Sequence, residues 1–246
     1  MPSTSHRPRK RFGQHFLHDA RVLARIVDEL GLADADCDVE IGPGEGALTH
    51  LLLKKVKQLS VVEIDRDLAA ALSDARIEVH QADALEFDFG RFPAGMRIVG
   101  NLPYNISTPL LFHLARFADR VRDMHFMLQL EVVERMVAAP STPEYGRLSV
   151  ALQARFRMKK LFKVARGAFR PPPKVESAMV RLEPLPRMLD IDEQLLRRAF
   201  SARRKQLRNA LMLADDDYAR LGIDPKLRPE NLSPDDFVRI SRLLDR

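Results

Sequence analysis

Asp38-Val39-Glu40-Ile41-Gly42-Pro43-Gly44-Glu45-Gly46 is the stretch of sequence that decides the fold. A short strand pattern runs directly into three closely spaced glycines, and a helical pattern follows at residues 47–56. Glycines at such a turn let the backbone approach a ligand at the carboxyl end of a strand. The spacing is Gly-x-Gly-x-Gly, which lacks the third position of the dinucleotide fingerprint Gly-x-Gly-x-x-Gly. Taken alone, the turn is also compatible with a purely structural role.

Strand and helix patterns alternate around this turn. The predicted strands are Val39–Ile41, Ser60–Ile64, Ile77–His80, Arg97–Val99 and Met124–Leu128, and the predicted helices are Ala47–Val56, Arg66–Ser73, Ser107–Phe117 and Glu131–Ala138. A further helix is predicted ahead of them, with Asp19 as its N-cap and Gly31 after its end. This alternation predicts an α/β fold with a Rossmann-like, mostly parallel sheet that carries helices on both faces.

The pattern changes in the second half of the chain. Leu148–Phe156 and Ser177–Leu182 are predicted to form a pair of long strands, an antiparallel addition to the sheet. Pro184 and Pro186 indicate a domain boundary, which gives a first domain of residues 1–186 and a small all-helical domain of residues 187–246.

Two helices are predicted in the second domain. The first runs from Asp192 to Ala214 and places Arg203 on its apolar side, whereas five other cations lie on the opposite arc: Arg197, Arg198, Arg204, Lys205 and Arg208. The second begins at Ser233, where a cap residue, a proline and two acids stand in order.

The composition excludes several classes of protein. The 246 residues include 46% hydrophobic residues and one cysteine, so the chain is a folded globule without an internal disulfide or a Cys-rich zinc site. We expect no bound metal. Since no apolar run approaches the ~20 residues that span a bilayer, and no apolar stretch follows the basic start, we expect a cytoplasmic protein with no membrane partner.

The net charge of +6 is unevenly distributed. Residues 1–25, 155–174 and 197–208 together carry +19, and the rest of the chain carries −13. One such segment is typical of a solvated face, but three together favour a nucleic acid partner, because clustered Lys and Arg neutralise phosphates.

Two acids follow later strands. Glu63 ends the second strand, 21 residues after Gly42, and Asp83 follows the third near the same edge of the sheet. An acid at the first of these places binds ribose hydroxyls. Because the chain has no Gly-Lys-Ser/Thr loop for phosphates, the acids favour S-adenosylmethionine, which has ribose and adenine but no phosphate.

Asn101-Leu102-Pro103-Tyr104 follows the fourth strand at that edge. The exocyclic amine of adenine is a poor nucleophile, since its lone pair is delocalised into the ring. The side-chain oxygen of Asn101 and the carbonyl of Leu102 are two acceptors that would hold its N–H groups and free the lone pair. Tyr104 would stack on the base, so catalysis would consist mainly of alignment. An ordinary proline turn is the alternative.

In combination, these motifs resemble the ribosomal RNA adenine N6-dimethyltransferase family. The similarity runs from about Arg9 to the C terminus and rests on four motifs: Phe12-Gly13-Gln14-His15-Phe16-Leu17, Glu40-Ile41-Gly42-Pro43-Gly44, Asn101-Leu102-Pro103-Tyr104-Asn105-Ile106-Ser107 and Phe169-Arg170-Pro171-Pro172-Pro173-Lys174-Val175. Phe200-Ser201-Ala202-Arg203-Arg204-Lys205 is similar to the branch that acts on small-subunit RNA. The resemblance implies a class I S-adenosylmethionine-dependent methyltransferase with a small helical C-terminal domain. It also implies dimethylation of two adjacent adenosines near the 3′ end of 16S ribosomal RNA. We expect this to occur within the immature small subunit, by a monomer, since nothing in the sequence demands a larger assembly.

The resemblance also implies the site residues. Around the cofactor it places His15, Leu17, Gly42, Gly44, Glu63, Asp83 and Asn101. Around the target adenine it places Asn101, Leu102, Tyr104 and Phe169. Candidates for RNA contact are Arg9, Lys10, Arg11, Arg147, Lys174, Arg204, Lys205 and Arg208. The chain departs from the family at His15, where Asn is common and an imidazole would make cofactor binding pH-dependent, and at Leu130, where Lys is usual.

Three alternatives stay open. A large-subunit RNA adenine methyltransferase of the antibiotic-resistance type would use the same chemistry. A ribosomal RNA-binding assembly factor that does not methylate would not need intact Asn101 and cofactor acids. A nicotinamide dehydrogenase would need the third fingerprint glycine, which is missing.

Overall fold

The computed structural model describes residues 14–32, 38–201 and 204–244. Its strands are β1 Phe16–Leu17, β2 Asp38–Ile41, β3 Leu59–Glu63, β4 Ile77–Gln81, β5 Met96–Asn101, β6 Val121–Gln129, β7 Phe156–Val164, β8 Phe169–Arg170 and β9 Ser177–Pro184. Its α-helices are α1 Ala20–Leu30, α2 Thr49–Leu52, α3 Arg66–Ala71, α4 Ser107–Leu114, α5 Leu130–Val137, α6 Arg147–Gln153, α7 Glu193–Ser201, α8 Leu207–Leu211, α9 Asp215–Leu221 and α10 Pro234–Leu244. The predictions at Arg9, Lys10, Arg11 and Arg203 lie outside the described residues.

Seven strands form one sheet in the order β4-β3-β2-β5-β6-β9-β7. The first five are parallel neighbours, and β9 runs antiparallel to β6, with Phe126 opposite Val180. The predicted Rossmann-like sheet with an antiparallel addition is therefore confirmed. A second sheet, which the sequence patterns did not indicate, pairs β1 with β8.

The register of the parallel strands creates the edge that carries the site. Ile41 lies beside Val62 on one side and Gly100 on the other, and Glu63 lies beside Gln81. The strand ends therefore bring the glycine turn, the acid of β3 and Asn101 to one edge of the sheet, as the alternation predicted.

The predicted start and end of α1 are confirmed. The Asp19 side chain accepts from the backbone N–H groups of Arg21 and Val22, and Gly31 ends the helix in the left-handed conformation. The helix buries one stripe, Leu23, Ile26, Val27 and Leu30, in the same apolar cluster as β1 and β3.

The predicted strand Leu148–Phe156 is wrong over most of its length. Residues 147–153 form helix α6, and the strand begins only at Phe156. At the start of α6, the Ser149 hydroxyl accepts from the backbone N–H of Gly146 and donates to the carbonyl of Arg135. Leu148, Val150 and Leu152 alternate as in a strand, but these local hydrogen bonds favour the helix.

The predicted helix from Asp192 to Ala214 is interrupted. Asp192 caps α7 as predicted, yet Gln206 is extended and α8 begins after it. The backbone N–H groups of Leu207 and Arg208 bond to the carbonyls of Leu227 and Pro225, outside any helix. Only helices occur among the described residues after Pro184, so the all-helical C-terminal region is confirmed, as is the helix start at Ser233.

Contacts divide the chain into two compact units, Met1–Val133 with Lys159–Glu183 and Glu134–Met158 with Pro184–Arg246. The predicted division at 186/187 differs from this one in its placement of residues 134–158. The physical reason is a shared core, because Tyr145 and Val150 are buried in one cluster with Leu195 and Phe237. None of the helices in the described ranges combines the length and apolar composition that a membrane crossing requires.

Candidate active site

The three glycines after β2 have left-handed backbone conformations. Their φ angles are 67° at Gly42, 58° at Gly44 and 79° at Gly46. Side-chain-bearing residues rarely adopt such angles, and a Cβ at Gly44 would also lie 3.0 Å from the Phe16 ring. The turn therefore requires glycine for both its conformation and its packing.

Glu63 ends β3 directly beside this turn. Its Oε2 accepts from the backbone N–H of Gly44 at 3.2 Å, and its Oε1 accepts from that of Asp65 at 2.9 Å. Burial raises the pKa of this carboxyl, although both backbone hydrogen bonds act in the opposite direction. A carboxylate has about four acceptor positions, so Glu63 keeps capacity for hydroxyl groups of a ligand.

Glu40, in the middle of β2, is a second buried carboxyl at the site. It is 2% exposed and its Oε2 accepts from the Thr49 hydroxyl at 2.7 Å. Burial raises its pKa from 4.5 to about 7. No role was predicted for Glu40, although a carboxyl between the apolar residues Val39 and Ile41 was a usable signal.

One cavity of about 280 Å³ joins these groups, near the lower end of the ~300–1,000 Å³ typical of small-molecule sites. Its lining includes four carboxyl groups, Glu40, Glu45, Glu63 and Asp83. Among the described residues, no Lys or Arg lines it. The Oδ1 of Asp83 accepts a hydrogen bond from the backbone N–H of Leu85. Its Oδ2 can therefore accept a hydrogen bond from a ligand.

Asn101-Leu102-Pro103-Tyr104 lines the same cavity. The Nδ2 of Asn101 donates to the backbone carbonyl of His15 at 2.8 Å, so Oδ1 is the atom of this amide that can accept from a ligand. Leu102 is buried, and its backbone N–H donates to the carbonyl of Met127. The predicted cofactor residues and three of the predicted adenine residues therefore meet at one cavity.

Tyr104 is fixed at its hydroxyl end. The Tyr104 Oη lies 2.5 Å from Oγ of the buried Ser177 in β9, and burial raises the pKa of the phenol. The imidazole of His15 packs on the Tyr104 ring, with 5.4 Å between the ring centroids and an angle of 33° between the ring planes. His15 and Leu17 both line the cavity, and their role in cofactor binding stays a prediction.

Phe169 lies away from the cavity. Its side chain is 2% exposed, it belongs to the apolar cluster that contains Leu17 and Phe162, and its backbone pairs with Leu17 in the β1–β8 ladder. Stacking of Phe169 on a base stays a prediction, and it requires the ring to leave this packing.

The remaining RNA-binding candidates occupy different environments. Lys174 is exposed after the proline run, and Arg147 is half-buried at the start of α6. Arg204 and Lys205 are exposed between α7 and α8, not on one helix face, and Arg208 is exposed on α8. Their role in RNA binding stays a prediction.

The donor set fits S-adenosylmethionine. The cavity offers buried carboxylates for hydroxyl and amino groups, together with apolar walls from Leu68 and Ala84. Because no Lys or Arg among the described residues lines the cavity, its carboxylates attract the sulfonium and ammonium groups of this cofactor. The same carboxylates repel phosphate groups, which dinucleotides and ATP carry. No cluster of three or more His, Cys, Asp or Glu side chains suited to a metal occurs in the described part of the chain.

Comparisons with known proteins agree with this geometry. The Ribosomal RNA small subunit methyltransferase A of Nitrosospira multiformis is 54% identical and that of Aromatoleum aromaticum 55%, each over 253 residues. These alignments cover 98% of this chain and 98% and 96% of the two relatives.

Two solved structures are also similar to this chain. A dimethyladenosine transferase from Plasmodium falciparum superposes with a TM-score of 0.82 at 26% identity, over 94% of this chain and 98% of that chain. The 23S rRNA methyltransferase ErmE superposes with a TM-score of 0.70 at 27% identity, over 94% and 100%. The class I methyltransferase fold is thereby confirmed. The family model described as Ribosomal RNA adenine dimethylase matches residues 5–246, and the chain belongs to that family.

Proposed function

We propose that the protein transfers methyl groups from S-adenosylmethionine to N6 of two adjacent adenosines near the 3′ end of 16S ribosomal RNA, in the immature small subunit in the cytoplasm. The observation that carries this proposal is the single cavity shared by the acids behind the glycine turn and by Asn101-Leu102-Pro103-Tyr104. One side has the chemistry to hold the methyl donor, and the other has the chemistry to hold the acceptor amine.

On the cofactor side, the residues bind and orient. Glu63 and Asp83 accept from the ribose hydroxyls and an amino group, while the turn at Gly42 and Gly44 lets the backbone come close. The bound cofactor supplies an activated methyl group on a sulfonium sulfur. When ionised, the carboxyl of Glu40 would add negative charge to the cavity and attract this cation.

On the acceptor side, two oxygens hold the amine. The Oδ1 of Asn101 and the backbone carbonyl of Leu102 accept the two N–H groups of adenine, which directs the nitrogen lone pair toward the methyl group. Tyr104 stacks on the extruded base. Neither oxygen needs to remove a proton before transfer, because the contribution of the site is alignment.

The small-subunit target is supported by the relatives. Two relatives that are 54% and 55% identical to this chain over nearly their full length are named for the small subunit, whereas the 23S rRNA methyltransferase ErmE is 27% identical. The exposed cations outside the cavity suit an RNA backbone, and we propose that the protein acts as a monomer with no metal ion.

The test is incubation with labelled S-adenosylmethionine and undermethylated small subunits, followed by mapping of the labelled bases. Label at two adjacent adenosines near the 3′ end of 16S ribosomal RNA is the expected result. Label in large-subunit RNA would support the alternative target, and absence of label with intact RNA binding would support a non-methylating assembly factor.

A matched variant tests the acceptor assignment. We expect Asn101→Ala to lower the single-turnover methyl transfer rate about 100-fold or more, while subunit binding is retained. Asn209→Ala, at an exposed position outside the cavity lining, is the control. Equal rates for Asn101→Ala and the wild type would contradict the role of this amide.

A further inference from the structure

The N-terminal segment of residues 14–18 contacts both sides of the cavity. On the cofactor side, Nε2 of Gln14 donates to Oδ2 of Asp65, two residues after Glu63, at 3.3 Å. On the other side, β1 pairs with β8, and the backbone N–H of His18 donates to the carbonyl of Ala168 at 3.0 Å. Segment 14–18 is thus attached to the loop that follows β7 and, through Asp65, to the turn after β3.

His15 makes the central contacts of this segment. Its backbone carbonyl accepts from Nδ2 of Asn101 at 2.8 Å. Its ring Nδ1 lies 2.8 Å from the carbonyl of Pro171, so Nδ1 carries the hydrogen and donates it. The ring also packs on Tyr104, with 5.4 Å between the centroids.

These contacts place the His15 side chain on the acceptor side of the cavity. Tyr104 is held at its hydroxyl by Ser177 and on its ring by His15, so two groups together restrict its orientation. Pro171 follows Phe169 and Arg170, the two residues of β8. One imidazole therefore connects Tyr104 with the segment that contains Phe169, the residue predicted to lie against the target adenine.

We propose that His15 is a positioning residue that orients Tyr104 and ties the Phe169–Pro171 loop to the cofactor-binding edge. Cofactor binding against segment 14–18 then orders the adenine site. The inference rests on the proposed function, and it differs from the predicted role of His15 as a direct cofactor ligand. A ligand role would act mainly on cofactor affinity, whereas a positioning role acts on transfer at saturating cofactor.

Two substitutions separate the two side-chain contacts. His15→Asn removes the ring that packs on Tyr104, and His15→Phe keeps a ring but removes the hydrogen bond to Pro171. His18→Asn is the matched control, since His18 lies on the same segment with an exposed side chain outside the cavity lining. Three quantities are measured for each protein: the Kd of S-adenosylmethionine, the single-turnover transfer rate, and cofactor-induced protection of residues 169–176 from hydrogen exchange.

For His15→Asn we expect the rate at saturating cofactor to fall about tenfold, with the Kd changed by less than about threefold. Cofactor-induced protection of residues 169–176 should be lost. We expect His15→Phe, which keeps a ring against Tyr104, to lower the rate less than His15→Asn does but to lose the protection, and His18→Asn to change none of the three.

A raised Kd with an unchanged saturating rate in His15→Asn would overturn the inference and identify a cofactor ligand. Unchanged rate and protection in that variant would overturn it too. If the wild type transfers no methyl group, yet cofactor-induced protection depends on His15, the proposed function fails and the positioning role is supported. If S-adenosylmethionine neither binds nor protects the wild type, both are overturned.

Discussion

Replacement of Glu40 by Gln should make the protein without cofactor more stable while it weakens cofactor binding. The Glu40 carboxyl is 2% exposed, and the Thr49 hydroxyl donates to it at 2.7 Å. Burial raises its pKa from 4.5 to about 7. A Gln side chain has the size and neutrality of the protonated acid, and its amide oxygen can accept the same hydrogen bond.

The pKa difference sets the magnitude. At about 1.4 kcal/mol per pKa unit, a change from 4.5 to about 7 corresponds to about 3 kcal/mol of preference for the neutral form. Because the folded-state pKa lies above the unfolded one, the folded protein loses stability as the pH rises from about 4.5 to about 7. The penalty is complete above that range and absent below it.

The assay is urea unfolding of the cofactor-free protein at pH 4 and pH 8. We expect Glu40→Gln to match the wild type within about 0.5 kcal/mol at pH 4 and to exceed it by about 1–3 kcal/mol at pH 8. Glu45→Gln, at an exposed carboxyl of the same cavity, is the control and should show no such gain. An equal effect of Glu40→Gln at both pH values would refute the reasoning.

The same substitution should reduce affinity for the cationic cofactor. At pH 8 the ionised Glu40 attracts positive charge, so we expect a Kd for S-adenosylmethionine about tenfold higher in Glu40→Gln. In the wild type the affinity should rise between pH 6 and pH 8 as Glu40 loses its proton. Equal affinities of the two proteins at pH 8 would show that Glu40 does not act on the cofactor.

Three further outcomes are expected. Gly100→Ala should destabilise the protein by about 2 kcal/mol or more in thermal unfolding, because the new Cβ would lie 2.5 Å from the carbonyl oxygen of Ile41. Gly167→Ala is the control and should cost less, because a Cβ there meets nothing within 4 Å. Ser177→Ala should lower the single-turnover rate about threefold to tenfold through loss of the bond to Tyr104, and an unchanged rate would contradict that bond's role. Reversal to Glu of three exposed cations, Arg204, Lys205 and Arg208, should weaken subunit binding and flatten the log–log salt slope by about 2. Reversal of the exposed Lys54 and Lys55 is the control and should not flatten the slope. Equal salt slopes of the triple variant and the wild type would indicate that the three cations form a solvated face.

Much of the site could be predicted because it depends on strand order. Each parallel strand ends at the same edge, so residues that follow strand patterns meet there whatever the loops do. For this reason Gly42, Glu63 and Asn101 were placed together correctly from their positions alone. Asp83 was placed by the same rule and lines the same cavity.

Features that depend on contacts distant in sequence could not be predicted in this way. The break before α8 is fixed by backbone hydrogen bonds from Leu207 to Leu227 and from Arg208 to Pro225, about 20 positions later. Helix α6 has the same apolar alternation as a strand, and only its capping bonds distinguish it. The pairing of β1 with β8 joins segments about 150 residues apart, and neither two-residue strand has a periodic pattern.

The acids that line the cavity and the exposed cations outside it act differently on the parts of an RNA strand. An RNA strand presents a charged backbone and neutral bases. The carboxyl groups of Glu40, Glu63 and Asp83 disfavour entry of a phosphate, whereas a neutral adenine meets no such barrier. Exposed cations such as Arg170 and Lys174, on the loop after β7, can hold phosphates outside the cavity. The acidic cavity and these two cations therefore predict one orientation of the substrate, with the backbone outside and the base directed toward Asn101.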